Sequence, residues 1–195
     1  MFKNCFTICI DMDDTIEDLL PAWLIWLNNK YGYNKQVEDV KEWGMDKVYP
    51  ELTNDQLYEP LTIRDFWKTV KPKQDAIEYI GKLVSEHQDI RIVTSARYDT
   101  FQYKVEEVIL KYFPMIDYHN IILSYDKARI NCDIMIDDNI NNLLGGNYYK
   151  LLYNTTHNQL EDLKDCKRVS SWKEIYNIIS TLDWYYTCNH KQTVN

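Results

Sequence analysis

The stretch Cys5-Phe6-Thr7-Ile8-Cys9-Ile10-Asp11-Met12-Asp13-Asp14-Thr15 decides the fold. Its first half is apolar and rich in β-favouring residues, which reads as a buried strand. Its second half sets two carboxylates two residues apart, Asp11 and Asp13, at that strand's carboxyl end. Open α/β sheets bind their ligands at that end. Acids clustered at the tip of a buried strand are costly unless they are paired or hold a cation. A second acidic pair, Asp137-Asp138, closes the apolar run Ile134-Met135-Ile136. Two strand ends that both carry carboxylates suggest one shared site for a hard cation.

Further apolar runs of strand length lie at 90–93, 121–123 and 148–153. Between them, Ile77, Ile80, Leu83 and Val84 have helical spacing, as do Val105, Val108, Ile109 and Phe113. Ser170-Ser171-Trp172-Lys173-Glu174 reads as a helix start with a serine cap. Strands alternating with helices predict a parallel α/β sheet. Residues 17–70 break the alternation. They hold no convincing strand, but carry Trp23, Trp26, Leu27 and Tyr31 at helical spacing, followed by Trp43, Tyr49, Tyr58, Phe66 and Trp67. This segment is expected to be a helical insertion over the carboxyl end of the first strand, with Pro72 marking the return. The expected division is a core of 1–16 and 71–195 and a small helical cap of 17–70.

A chain of 195 residues fits one domain with a sizeable insertion. Its hydrophobic content of 45% argues against disorder. The net charge of -8 and the lack of a basic stripe exclude duplex nucleic acid as an expected partner. Small anions stay open, because a bound divalent cation reverses local charge. No run of about 18 apolar residues predicts a membrane span. The N-terminus lacks a signal-peptide pattern, so the expected compartment is the cytoplasm. Five cysteines (Cys5, Cys9, Cys132, Cys166 and Cys188) match no zinc spacing. Cys5, Cys9 and Cys132, in or beside apolar runs, are expected to be reduced core thiols. The tail from Asp183 to Asn195 turns polar after Trp184-Tyr185-Tyr186 and is expected to fray.

Thr94-Ser95 follows the run at 90–93, where a hydroxyl and free amides can hold phosphate oxygens. Lys127 lies just beyond 121–123, placed to pair with phosphate and to offset the aspartates. Aspartate is a nucleophile towards phosphorus, and magnesium suits carboxylates. Each signal is weak alone. Their order, Asp-x-Asp-x-Thr, Thr/Ser, Lys, Asp-Asp, resembles the four motifs of the haloacid dehalogenase-like (HAD) superfamily of phosphotransferases. The resemblance implies a three-layer, Rossmann-like α/β core with a parallel sheet, plus a small helical cap inserted after the first strand. It implies Asp11 as nucleophile and Asp13 as general acid/base, whose backbone carbonyl also binds the metal. Thr94, Ser95 and Lys127 are implied to hold phosphate. Asp11, Asp13, Asp137 and Asp138 are implied to hold Mg2+, with the choice between Asp137 and Asp138 as direct ligand left open.

Within that superfamily the chain is most similar to the small cytosolic and mitochondrial 5'(3')-deoxyribonucleotidases. The similarity rests on Asp11-Met12-Asp13 with its helical insertion, Phe66-Trp67 shortly before Lys71-Pro72, Thr94-Ser95, Leu123-Ser124-Tyr125-Asp126-Lys127, and Ile136-Asp137-Asp138. It implies a magnesium-dependent phosphatase of (deoxy)nucleoside monophosphates, with pyrimidine deoxynucleotides favoured. Lys104 matches a further phosphate-contacting lysine, one residue out of step. Trp43, Phe66 and Trp67 are expected as an aromatic wall for a base. Asp14 stands where many members have Gly, and Leu19 where mammalian relatives carry a base-stacking Phe. The alternatives are another small phosphoester such as a sugar phosphate, a non-catalytic binding module, or an interaction domain built on the aromatic insertion. Assembly as a homodimer is left open.

Overall fold

Strand β1 (Thr7–Ile10) is the middle of the sheet, so its apolar run shows no alternation: Ile8, Cys9 and Ile10 are all fully buried. The computed structural model describes residues 5–190, the side chains of 183–190 excepted. Strands β2 (Asp89–Thr94), β3 (Ile121–Leu123), β4 (Ile134–Asp137), β5 (Tyr149–Tyr153) and β6 (Lys167–Val169) complete one sheet in the order β3-β2-β1-β4-β5-β6. Every pairing is parallel. The chain moves outward from β1 to β2 and β3, then returns to the other side of β1 for β4. That reversal opens a crevice above the carboxyl ends of β1 and β4. Strand β6 was not foreseen, because a three-residue edge strand with two cations carries little apolar signal.

Both faces of the sheet are covered. Ile8, Ile10, Ile92, Ile134 and Ile136 pack with Ala76, Ile80 and Leu83 of one helix and with Trp172, Ile175 and Ile179 of another. Cys9, Val93, Met135 and Leu152 point the other way, onto Ile140 and Leu143. The period-two split of each strand thus yields the expected three layers. In chain order the helices are α1 (Leu19–Tyr31), α2 (Met45–Val48), α3 (Asn54–Tyr58), α4 (Arg64–Trp67), α5 (Ala76–Ser85), α6 (Phe101–Lys104), α7 (Leu110–Tyr112), α8 (Ile140–Leu143) and α9 (Trp172–His190). A π-helical segment (Val105–Ile109) joins α6 to α7. The serine cap is found: Ser171 Oγ accepts the Glu174 N–H at 3.2 Å, and the Glu174 carboxylate accepts the Ser170 N–H at 2.8 Å. The fraying tail falls on 183–195, where side chains or whole residues lie outside the description, as does Cys188.

Between β1 and α5 the described residues form helices and short 3-10 turns, with no named strand. The two ends of this segment are tied together. Glu17 and Pro72 form an antiparallel bridge, the Asp18 N–H donates to Lys71 O at 2.8 Å, and the Lys73 N–H donates to Ile16 O at 2.9 Å. Its buried aromatics join the main hydrophobic core, and their polar atoms tie the segment to itself. Trp23 Nε1 donates to Leu57 O at 2.7 Å, Trp67 Nε1 donates to Leu61 O at 3.0 Å, and Tyr49 OH donates to Asn28 Oδ1 at 2.9 Å. One cysteine expectation is corrected: Cys5 is exposed, because it precedes the first strand, whereas Cys9, Cys132 and Cys166 are buried free thiols.

Candidate active site

Register brings the two acidic strand ends together. Cys9 pairs with Met135 and Ile10 with Ile136, and the Asp11 N–H extends the ladder to Ile136 O at 2.8 Å. Asp11 therefore lies beside Asp137. Lys127, buried in the turn after β3, bridges them, with Nζ 2.5 Å from Asp11 Oδ1 and 2.6 Å from Asp137 Oδ2. Asp137 Oδ1 accepts the Asn139 N–H at 2.8 Å and Asn142 Nδ2 at 3.1 Å, so both its oxygens are engaged by protein donors. Asp138 Oδ2 lies 2.8 Å from His157 Nε2.

Asp11, Asp137 and Asp138 offer ligand oxygens within 4.8 Å of one another, all from buried residues. One lysine cannot neutralise three buried acids, and that donor set fits a hard divalent cation. Burial pushes Asp11 up to about 7; Lys127 pulls it down, and the charges of Asp137 and Asp13 add to the rise. Burial, followed by Asp11 and Asp137, lifts Asp138 well above the carboxylate range. Burial works against the Lys127 charge, but Asp11 and Asp137 more than reverse it and hold its ammonium above its ordinary value. Burial lowers His157 to about 4, with Lys73 adding to the effect.

Asp13 is half-buried and engages a different lysine. Lys104, carried to the sheet by α6 and fully buried, places Nζ 2.5 Å from Asp13 Oδ2 and 2.7 Å from Thr94 Oγ1. The out-of-step lysine of the sequence thus joins the site. Thr94 is fully buried and lines neither of the two cavities described next, whereas Ser95 lines both. Adjacent residues at a strand end point to opposite faces, so only one hydroxyl reaches the open space.

Asp14 takes a positive φ of 53°, the backbone state that suits the Gly of other members. Its Oδ1 accepts the Leu20 N–H at 3.0 Å in the first turn of α1, which gives the extra acid a structural task. Burial raises Asp14 to about 6, against the opposing pull of Lys73 and that N–H. Glu17 is completely buried, and neither of its oxygens has a well-formed hydrogen bond. Burial and the charges of Asp13 and Asp14 lift it well above its usual value.

Two cavities meet at Asp13, Tyr58, Leu61 and Ser95. One, of about 340 Å³, contains Asp11, Lys127 and Asp138 and is walled by Leu19, Trp23 and Trp43. The other, of about 470 Å³, is lined by Trp67, Lys104 and Arg97. The three expected base-wall aromatics are therefore divided: Trp43 faces one cavity, Trp67 the other, and Phe66 packs into the core against Trp67 and lines neither.

Four participants were not foreseen. His157 touches Asp138, Asn142 touches Asp137, and Asn158 donates Nδ2 to Asp138 O at 2.7 Å. Arg168 on β6 in turn donates to Asn158 Oδ1 at 2.6 Å. The available signal was position: Thr155-Thr156-His157-Asn158 follows the β5 run just as the acids follow theirs.

Comparison with known proteins bears on this geometry. The model of the family described as 5' nucleotidase, deoxy (pyrimidine), cytosolic type C protein matches residues 4–183. A 5'(3')-deoxyribonucleotidase of Bacillus subtilis (strain 168) is 30% identical over 169 residues, covering 86% of this chain and 95% of that protein. A 5'(3')-deoxyribonucleotidase of Clostridium acetobutylicum is 29% identical over 156 residues, with 80% and 86% covered. Among solved structures, a haloacid dehalogenase-like hydrolase of Streptococcus pneumoniae superposes with a TM-score of 0.63 at 16% identity, covering 90% of this chain and 98% of that one. The HAD-hydrolase YfnB of Bacillus subtilis, solved with magnesium, gives 0.57 at 16% identity, with 90% and 99% covered. Among the described residues no helix is long and apolar enough to cross a membrane. With the HAD fold, the strand-end acids and these relatives together, the chain belongs to the cytosolic type C deoxy-(pyrimidine) 5'-nucleotidase family and is a phosphoric monoester hydrolase.

Proposed function

We propose that this protein hydrolyses (deoxy)nucleoside monophosphates to nucleoside and phosphate through an aspartyl-phosphate on Asp11, in the cytoplasm. One observation carries the reading. Asp11 is buried at the floor of a cavity with Lys127 on one oxygen and two further acids beside it, while an apolar wall of Leu19, Trp23 and Trp43 bounds the same space. That arrangement suits a phosphate at one end and a flat base at the other. The family description and the relatives' names support the nucleotide assignment.

A magnesium ion held by Asp11, Asp138 and the Asp13 backbone carbonyl would supply positive charge to the phosphoryl oxygens. Asp138 is preferred to Asp137 as ligand because both oxygens of Asp137 already accept protein hydrogen bonds. The side chains do the rest. Asp11 attacks phosphorus, forming a P–O bond as the ester P–O bond breaks, and Asp13 gives the leaving oxygen its proton. Water then attacks the aspartyl-phosphate, Asp13 takes the water's proton, and Asp11 is restored. Lys127, Lys104 and Ser95 surround the phosphate position and offset its charge. Residues 17–70 serve as the cap that selects the leaving group.

The test is phosphate release from a panel of ribo- and deoxyribonucleoside 5'- and 3'-monophosphates and of sugar phosphates. Asp11→Asn and a chelator serve as controls. Selective turnover of deoxynucleotides, lost by roughly 10^4-fold or more in the variant and abolished by chelation, is the expected result. Preference for sugar phosphates would overturn the nucleotide assignment, and turnover surviving Asp11→Asn would overturn the nucleophile.

A further inference from the structure

The turn after β5 grips Asp138 at both ends. His157 Nε2 meets the carboxylate at 2.8 Å, and the neighbouring Asn158 donates Nδ2 to the Asp138 backbone carbonyl at 2.7 Å and to Tyr153 O at 2.8 Å. The turn is itself fixed. The Thr155 N–H donates to Asn158 Oδ1 at 3.2 Å, and Arg168 donates to Asn158 Oδ1 at 2.6 Å and to Asn158 O at 2.8 Å. His157 and Asp138 are buried to within a few per cent, so water does not substitute for their contact. Trp43 packs against the same imidazole, with centroids 4.4 Å apart and the ring planes tilted by 54°. Trp43 is 43% exposed and lines the same cavity as the acids. A residue from the helical insertion thus braces an imidazole that also holds a carboxylate of the acidic cluster.

We infer that His157 is a positioning residue: its Nε2–H fixes Asp138 in the orientation that holds the metal, and Trp43 locks the ring in place. This rests on the reading above, in which Asp138 is a metal ligand. Such a carboxylate needs one oxygen tied and one left over. Asp138 meets that condition through His157, whereas Asp137 spends both oxygens on protein donors. A donor that pins a ligand raises metal affinity by sparing it the rotational freedom it would lose on binding. The arrangement also links the insertion to the metal: what disturbs Trp43 loosens the ring behind Asp138.

The experiment is Mn2+ titration of the whole protein, read by the electron paramagnetic resonance of free Mn2+, alongside magnesium-dependent turnover. His157→Phe keeps a ring for Trp43 to rest on and removes the donor. His157→Gln carries an amide nitrogen to about the place of Nε2. The expected result is a Mn2+ Kd raised about 10- to 100-fold in His157→Phe, near wild type in His157→Gln, and raised by a smaller factor in Trp43→Ala. Much of the lost kcat of His157→Phe should return at saturating magnesium, which a misfolded variant would not show. A His157→Phe Kd equal to wild type, or His157→Gln as weak as His157→Phe, overturns the inference and leaves the phosphatase reading intact. Failure of the wild-type protein to bind Mn2+ overturns both.

Discussion

The lysine–carboxylate pairs Lys127–Asp11 and Lys30–Glu59 close at the same distance, 2.5 Å, and do different work. Lys127–Asp11 belongs to the floor of the site and is almost wholly buried, with side chains 2% and 8% exposed. Lys30–Glu59 belongs to the helical roof and stands in water at 40% and 37%. In the floor pair, burial magnifies both the attraction and the cost of losing a partner. In the roof pair, solvent and salt screen the charges, and holding two long side chains in place offsets most of the gain. Distance alone says nothing about which pair matters. The comparison extends to the regions themselves. The floor is built from strand ends locked in register, and the roof from one helix of 13 residues and three of four or five, held by aromatic rings and indole N–H groups.

The sharpest way to break this comparison is to remove the floor cation. Lys127→Met should cost about 3–5 kcal/mol in the chelated protein, measured by denaturant unfolding, because Asp11 and Asp137 are left facing each other without a cation. A loss under about 1 kcal/mol would place the floor pair in the same class as the roof pair. A smaller effect tests the roof as a substrate wall. Trp43→Ala should raise KM for nucleoside monophosphates about tenfold and change kcat far less, since an apolar wall binds ground and transition states alike. An equal fall in kcat with KM unchanged at saturating magnesium would exclude the substrate contact and leave Trp43 only its hold on His157. Smallest of all, Glu59→Gln should leave the denaturant midpoint of unfolding almost unchanged, and change it less still in high salt. A loss matching that of Lys127→Met would mean that the roof pair is not screened as its exposure implies.

The floor was the legible part, and the reason is physical. A central parallel strand must be apolar along its whole length, so any acid at its end stands out. Asp11, Asp13, Asp137 and Asp138 stood out by that contrast, Lys127 by its place just beyond a strand, and the parallel character of the sheet by the alternation of strands and helices, while the order of the strands came only with the structure. His157 and Asn158 obey the same strand-end logic after β5, but four polar residues in a row look like any surface turn. Neighbouring residues posed another difficulty. Thr94 and Ser95, like Phe66 and Trp67, are adjacent pairs of which one member faces a cavity and the other does not. Pattern identifies the pair, while direction depends on the strand's pleat or the helix's rotation, which tertiary packing sets. In the roof, α1 was legible from the spacing of Trp23, Trp26, Leu27 and Tyr31, whereas the helices of four or five residues after it give too few turns for a periodic stripe.

The bridge between Glu17 and Pro72 has a consequence for how such a protein can change over time. The roof leaves the sheet and rejoins it at a single point, with backbone hydrogen bonds sealing the junction from Asp18 to Lys71 and from Lys73 to Ile16. A segment attached in this way behaves as a cassette. It can lengthen, shorten or be replaced without shifting the register of any strand, provided that something takes over the place of Trp43 on His157. The strand-end acids can then be inherited unchanged while the segment above them varies.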